Sequence, residues 1–255
     1  MTLAFDEEGA REVERVYSTP DIVRQRAEVL GLLAPRPGER ILDVGSGPGF
    51  LLESLAAAVG PEGVVHGIDP SPAMNALATR RVGAVPAVTI AQGSAESLPY
   101  PDDDLDAVVS TQVYEYVADI PRAFAELRRV VRPDGRVLLL DTDWDSVVWH
   151  VADRARHARV MAAWEEHLVH PHLPATWARH LRAAGFRITT QAAIPILNPH
   201  LDEDTYSALI ARTIAGYVAD RQGLSSEDGR AWLADVRGGD YFFSMNRFCV
   251  IAVPE

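Results

Sequence analysis

The sequence predicts an α/β protein: a doubly wound sheet of seven strands, preceded by N-terminal helices and covered by a helical cap. Two observations carry that prediction. Short apolar runs without polar alternation recur up to about residue 140, with helical patterns between them. After Asp141 the rhythm breaks into a stretch rich in Trp and His. Runs of Val, Ile and Leu with no polar face belong to strands buried on both sides, as in a parallel sheet. Strand–helix alternation with short connections is the pattern of a doubly wound fold.

In chain order, residues 1–37 form an N-terminal helical segment, with Val23, Ala27, Leu30 and Leu33 at helical spacing. Pro35 and Pro37-Gly38 end it. Residues 38–143 are the core, with strands over Arg40–Val44, Val64–Ile68, Val88–Ala91, Ala107–Ser110 and Val137–Leu140. Crossover helices lie over Phe50–Val59, Pro72–Val82 and Ile120–Val131. Residues 144–172 read as a cap or lid connector. Residues 173–196 return to the core with a helix over Ala175–Ala184 and a strand over Phe186–Ile194. Two helical stretches make 197–240 a cap insertion, and 241–255, β-prone after Gly238-Gly239, supply the final core strand. Both additions fall at the sheet's C-terminal edge, where open α/β sheets bind ligands.

Composition narrows the function classes. With 24 basic and 36 acidic side chains among 255 residues the net charge is −12, which argues against a phosphate backbone as partner. Every basic residue is arginine, so Schiff-base chemistry and a P-loop lysine are excluded. The single cysteine, Cys249, cannot form an internal disulfide and suits a reducing compartment. The acidic N-terminus shows no secretory signal, and no apolar run approaches the roughly 20 residues of a membrane span. The expectation is a cytoplasmic protein with neither nucleic acid nor membrane as partner.

The most informative stretch is ILDVGSGPGF, residues 41–50. A buried strand runs into Gly45, Gly47 and Gly49, and a helix follows. Glycine is needed where a turn is tight or where backbone must approach a ligand closely. Asp69 ends the second strand, twenty residues beyond Gly49, where a carboxylate can accept the hydroxyls of a ribose. The dinucleotide pattern G-x-G-x-x-G requires glycine at position 50, and Phe50 stands there. Asp43 just before the turn is unhelpful beside a pyrophosphate and helpful beside an ammonium group. The ligand therefore carries a ribose and positive charge.

On DVGSGPG (43–49), GIDPS (67–71), QGSAESLPYPDDDLDAVVS (92–110) and RPDGRVLLLD (132–141), the chain resembles the class I S-adenosylmethionine (SAM)-dependent methyltransferases. The branch is the ubiquinone/menaquinone C-methyltransferase-like, or type 11, one. The resemblance implies a Rossmann-like seven-stranded sheet whose last strand is antiparallel, SAM as cofactor and S-adenosylhomocysteine (SAH) as product. It implies that Asp43, Gly45, Ser46, Gly47 and Gly49 cradle the methionine part and that Asp69 holds the ribose. Pro70 and Met74 would pack near the adenine, with Gly93, Ser94 and Ala95 at its edge. Thr111 and Gln112 would face the methionine ammonium, and Tyr17 and Arg26 would close over its carboxylate. Many relatives carry aspartate where Ser94 stands, so a weaker adenine contact is expected.

The methyl acceptor is expected to be a small molecule: quinone-like, phenolic or a secondary metabolite. Tyr114 and Glu115, after the fourth strand, and His150, after the fifth, are the candidates for base or acceptor-positioning group. Each also has a plain structural reading, in packing or as a surface histidine. The string His167, His170 and His172 invites a metal reading, but Pro171 interrupts it and no cysteine completes a tetrahedral site. A lid lining a pocket is the expectation, with no metal. The alternative to methyl transfer is a SAM-binding protein of the same fold with a rearrangement or regulatory role.

Overall fold

The computed structural model describes residues 6–255; residues 1–5 of the expected N-terminal segment lie outside it. Two helices come first, α1 (Glu7–Tyr17) and α2 (Pro20–Leu33). Asp6 starts α1 by accepting a hydrogen bond from Gly9 N, and Pro20 sits in the first turn of α2, where no amide donor is needed. The core follows as β1 (Arg40–Val44), α3 (Phe50–Val59), β2 (Val64–Asp69), α4 (Pro72–Val82), β3 (Val88–Gln92), β4 (Leu105–Thr111), α5 (Ile120–Val130) and β5 (Val131–Thr142). Then come β6 (Val148–Trp149), α6 (Arg154–Glu165), α7 (Trp177–Ala183), β7 (Phe186–Asn198), α8 (Tyr206–Tyr217), α9 (Ser226–Arg237) and β8 (Phe243–Pro254).

The sheet order is β3-β2-β1-β4-β5-β8-β6, with β7 on the other edge of β8. The pairs from β3 to β5 are parallel, while β8 runs antiparallel to β5, β6 and β7. The strand order reverses between β1 and β4, which opens a crevice at the carboxyl ends of β1, β2 and β4.

Three features correct or extend the sequence reading. The sheet has eight strands rather than seven, because β6 adds a two-residue pair to Phe243 and Ser244. Strand β7 continues four residues past Ile194, since it pairs with β8 as far as Asn198 opposite Phe243. Residues 144–172 also contain a helix, α6, started by Asp153 accepting from Arg156 N.

The two faces of the sheet are covered by separate apolar clusters. One contains Phe124, Leu127 and Trp177, the other Leu33, Leu52 and Leu55. A third cluster joins the cap to the N-terminal helices: Val16 and Ile22 pack with Trp144, Trp164, Ile214 and Trp232. Asp21 ties the same parts together, its Oδ2 accepting from Asn198 Nδ2 at 3.1 Å and Tyr206 N at 2.8 Å. At about 2 kcal/mol for each large buried apolar side chain, the cap is part of the core and not an appendage. No helix among the described residues is long and apolar enough to cross a membrane.

Candidate functional site

The turn after β1 is built from three glycines with different duties, all at positive φ. A Cβ on Gly45 would sit 2.2 Å from Val113 Cγ2, and one on Gly49 would sit 3.0 Å from Ala78 Cα. Those two glycines permit close packing. A Cβ on Gly47, at φ +52°, would meet nothing nearer than Gly45 O at 4.0 Å. Its side faces the cleft, so the glycine there leaves room for a ligand.

The carboxylate of Asp69 locks this turn to the end of β2. Its Oδ2 accepts from Gly47 N at 3.0 Å and its Oδ1 from Ser71 N at 2.8 Å. Burial still holds Asp69 above the usual carboxylate range, outweighing those two amides. Asp43 is 2% exposed. Burial, and then the charge of Asp69, push it up to about 8.

One cleft runs from this turn to the cap. It is lined by Asp43, Gly45, Ser46, Gly47, Asp69, Pro70, Met74, Thr111 and Gln112, with Tyr17 and Arg26 from the N-terminal helices. Burial pushes the Tyr17 hydroxyl up to about 12. Arg26 lies 4.6 Å from the Phe50 ring centroid, and Arg81 lies 3.6 Å from it. Burial and the neighbouring Arg81 lower the pKa of Arg26. Gln112 holds φ +59°, an uncommon value for a residue with a side chain. Its Oε1 accepts from Thr142 Oγ1 at 2.8 Å, while its Nε2 is buried with no partner.

The other wall carries Gln25, Glu115, Tyr116, Trp144, Trp164, His167, Tyr206 and Arg247. Glu115 is 1% exposed; its Oε2 accepts from Trp144 Nε1 at 3.0 Å. Burial raises it to about 7 against the opposing pull of that bond and of Arg247. His167 is 2% exposed, and its Nδ1 contacts the Trp164 carbonyl. A carbonyl can only accept, so the proton sits on Nδ1 and the lone pair on Nε2. That Nε2 is buried without a partner, and burial lowers the ring to about 4, which keeps it neutral.

Several expected site residues lie elsewhere. Gly49, Gly93, Ser94 and Ala95 are not in the cleft wall. Gly93 N donates to Asp69 O at 3.2 Å, one strand over, while exposed Ser94 closes a turn by accepting from Glu96 N. Tyr114 is buried in the sheet's apolar cluster, its ring centroid 5.3 Å from that of Phe124. His150 is exposed outside the cleft, its amide donating to Phe242 O. The reason is strand alternation: Trp149 of β6 turns inward onto Phe243 and Trp232, so His150 turns outward.

The histidine that reaches the cleft is His167. His172 instead pairs with Asp143 at 3.0 Å, beside Asp145. Gln25, Tyr206 and Arg247 also line the cleft and were missed from sequence. The signal for Arg247 was the alternation in the first half of β8, where Phe243, Met245, Arg247 and Cys249 are buried in turn.

Residues 42–139 match the Methyltransferase domain family. The chain is 33% identical over 248 residues to an uncharacterized 37.1 kDa protein in transposon Tn4556 of Streptomyces fradiae, covering 92% of this chain and 68% of that one. It is 42% identical over 109 residues to the demethylmenaquinone methyltransferase of Symbiobacterium thermophilum, covering 42% of this chain and 43% of that one. The chain belongs to the SAM-dependent methyltransferase family. It spans under half the length of that Symbiobacterium relative.

Solved structures share the methyltransferase fold. A Haemonchus contortus N-methyltransferase solved with SAH superposes at TM-score 0.63 with 18% identity, over 98% of this chain and 58% of that one. The [4+2]-cyclase SpnF superposes at 0.61 with 26% identity, over 91% and 80%. This methyltransferase's own cleft fits SAM on three observations. Gly47 opens toward it, Gln112 Nε2 and Ser46 Oγ are buried without partners, and the buried carboxyl of Asp43, raised by burial and by Asp69, offers a site for positive charge.

Proposed function

We propose that this chain transfers a methyl group from SAM to a small, largely apolar acceptor of phenolic or quinone-like type, bound under the helical cap. The observation that carries the reading is the continuous cleft joining the Asp43–Gly47–Asp69 turn to a wall of Trp144, Trp164 and Glu115. Several curated relatives are named as demethylmenaquinone methyltransferases, which favours a ring acceptor.

When bound, SAM supplies a methyl group already made electrophilic by its sulfonium. The chain must hold, orient and keep dry. Asp69 accepts the ribose hydroxyls, and Asp43 balances the ammonium and sulfonium charge. Gly45–Gly47 approach the methionine part, and Thr111 and Gln112 offer it polar groups, with Tyr17 and Arg26 closing over it. Pro70 and Met74 pack the adenine. The indoles of Trp144 and Trp164 exclude water from the acceptor, whose nucleophile must lie about 3–3.5 Å from the methyl carbon. Glu115, raised to about 7, is poised to take a hydroxyl proton near neutral pH. The lone buried thiol of Cys249 agrees with a reducing, cytoplasmic setting.

The test is SAH formation from SAM with a panel of phenols and quinols, run beside Glu115→Gln. Acceptor-dependent SAH, much reduced in E115Q, is the expected result. SAM bound tightly with no SAH from any acceptor would contradict methyl transfer and leave the non-methylating reading.

A further inference from the structure

The cap wall holds a cation without an anionic partner. Arg247 of β8 is 2% exposed and lines the cleft. Its Nη1 donates to Gln25 Oε1 at 2.6 Å, and its guanidinium carbon lies 4.9 Å from the Tyr206 ring centroid. Its Nε–H is buried with no hydrogen-bond partner. Among the described residues no carboxylate forms an ion pair with it. Glu115 and Asp141 interact with its charge only at longer range.

Burying a guanidinium on these terms costs several kcal/mol. Packing alone would favour an apolar side chain here, between the inward-facing Met245 and Cys249. The unfilled donor belongs instead to something that enters the cleft.

We propose that Arg247 holds the acceptor's ionisable oxygen through its free Nε–H, and that this oxygen is a phenolic or enolic hydroxyl rather than a carboxylate. The proposal rests on the methyl-transfer reading above. Glu115, in the same wall as Arg247, makes the choice between the two oxygens. A carboxylate arrives charged and would sit beside a second carboxyl group with one arginine to offset both. A hydroxyl arrives neutral and ionises only once inside.

The acceptor O–H bond breaks, its proton passes to the Glu115 carboxylate, and the electron pair stays on the acceptor as a delocalised oxyanion facing Arg247. That pair forms the new bond to the methyl carbon while the S–CH3 bond breaks and its electrons return to sulfur.

The test uses the SAH-loaded protein and three probes sharing one ring system: 2-naphthol, naphthalene and 2-naphthoate. Affinities are read by calorimetry, and naphthol ionisation by the absorption of naphtholate. Naphthol should bind about tenfold or more tighter than naphthalene, the scale of a charge-assisted hydrogen bond, and tighter than naphthoate. Naphtholate absorption should appear at lower pH than in free solution. Arg247→Met should lose both the margin and the absorption while SAH affinity stays unchanged, and Arg247→Lys should recover part of each. Naphthoate binding as tightly as naphthol to the wild type would overturn the hydroxyl assignment, whatever the variants do. An unchanged naphthol margin in R247M would overturn the role of Arg247. Failure of SAH to bind the wild type would overturn the methyl-transfer reading, and this proposal with it.

Discussion

Asp43→Asn is the most informative single perturbation of the cofactor end. Burial and the charge of Asp69 raise Asp43 from the usual 3.8 to about 8 in the ligand-free cleft. A cationic ligand stabilises the ionised form, so binding below pH 8 must expel a proton. Each pH unit then costs about 1.36 kcal/mol, or tenfold in affinity. Between pH 7.5 and pH 5.5 SAM affinity should therefore fall about a hundredfold. The ligand's own amine, with a pKa of about 7.7–8.0, stays mostly protonated across that window. Calorimetry in buffers of different ionisation enthalpy should show close to one proton released per complex at pH 6. D43N should bind more weakly at pH 7.5 and show a much shallower slope, with Asp69, also raised, supplying the remainder.

The same shift sets the sign of the stability effect. Because the folded pKa lies above the unfolded one, the group's contribution is fully present below about pH 4 and is lost as pH rises through about 8. Ligand-free D43N should thus melt above the wild type at pH 8, with the two converging at low pH. A wild-type affinity independent of pH, or a D43N slope as steep as the wild type's, would refute the reasoning.

The remaining predictions separate the roles of neighbouring groups. Gly47→Ala should cost roughly 1–2 kcal/mol in stability, the penalty of a left-handed non-glycine residue, while lowering SAM affinity by far more than that strain explains. Gly45→Ala should lose much more stability, because its Cβ would fall 2.2 Å from Val113 Cγ2; chemical denaturation and calorimetry on both variants check the contrast. Asp69→Ala should abolish measurable SAM binding, since it removes the ribose acceptor and frees the Gly47 and Ser71 amides together. Trp144→Phe removes the donor that holds Glu115 down, so Glu115 should rise above about 7 and the acidic limb of kcat/KM should move to higher pH. An unmoved limb would separate Glu115 from catalysis.

The core of the fold was legible because its signals are local. Each strand from β1 to β5 is an apolar run, and the glycine turn with Asp69 is bounded by strand and helix in a fixed order. The cleft wall formed by Asp43, Gly45, Gly47 and Asp69 was legible for the same reason, whereas Gly93, Ser94 and Ala95, expected beside it, lie outside it. The acceptor end was less so, because its wall is assembled from residues far apart in the chain: Gln25, Glu115, His167 and Arg247. Bonds such as Arg247 to Gln25 span 222 positions, and no periodicity announces them. His150 attracted attention by following the fifth strand, but β6 intervenes, and its pairing with β8 turns that side chain to solvent. His167 belonged to a string read as a lid, and the Trp164 carbonyl that fixes its tautomer lies only three residues away. The two-residue β6 and the far end of β7 depend on β8, about fifty to a hundred residues later, so neither could be bounded from its own sequence.

Calorimetric titration of the purified chain with SAM, SAH and NAD decides whether this cleft holds SAM. One SAM or SAH should bind per chain, each displacing the other, with no heat from NAD. Binding of NAD, or the absence of SAM and SAH binding to a folded sample, would contradict that assignment.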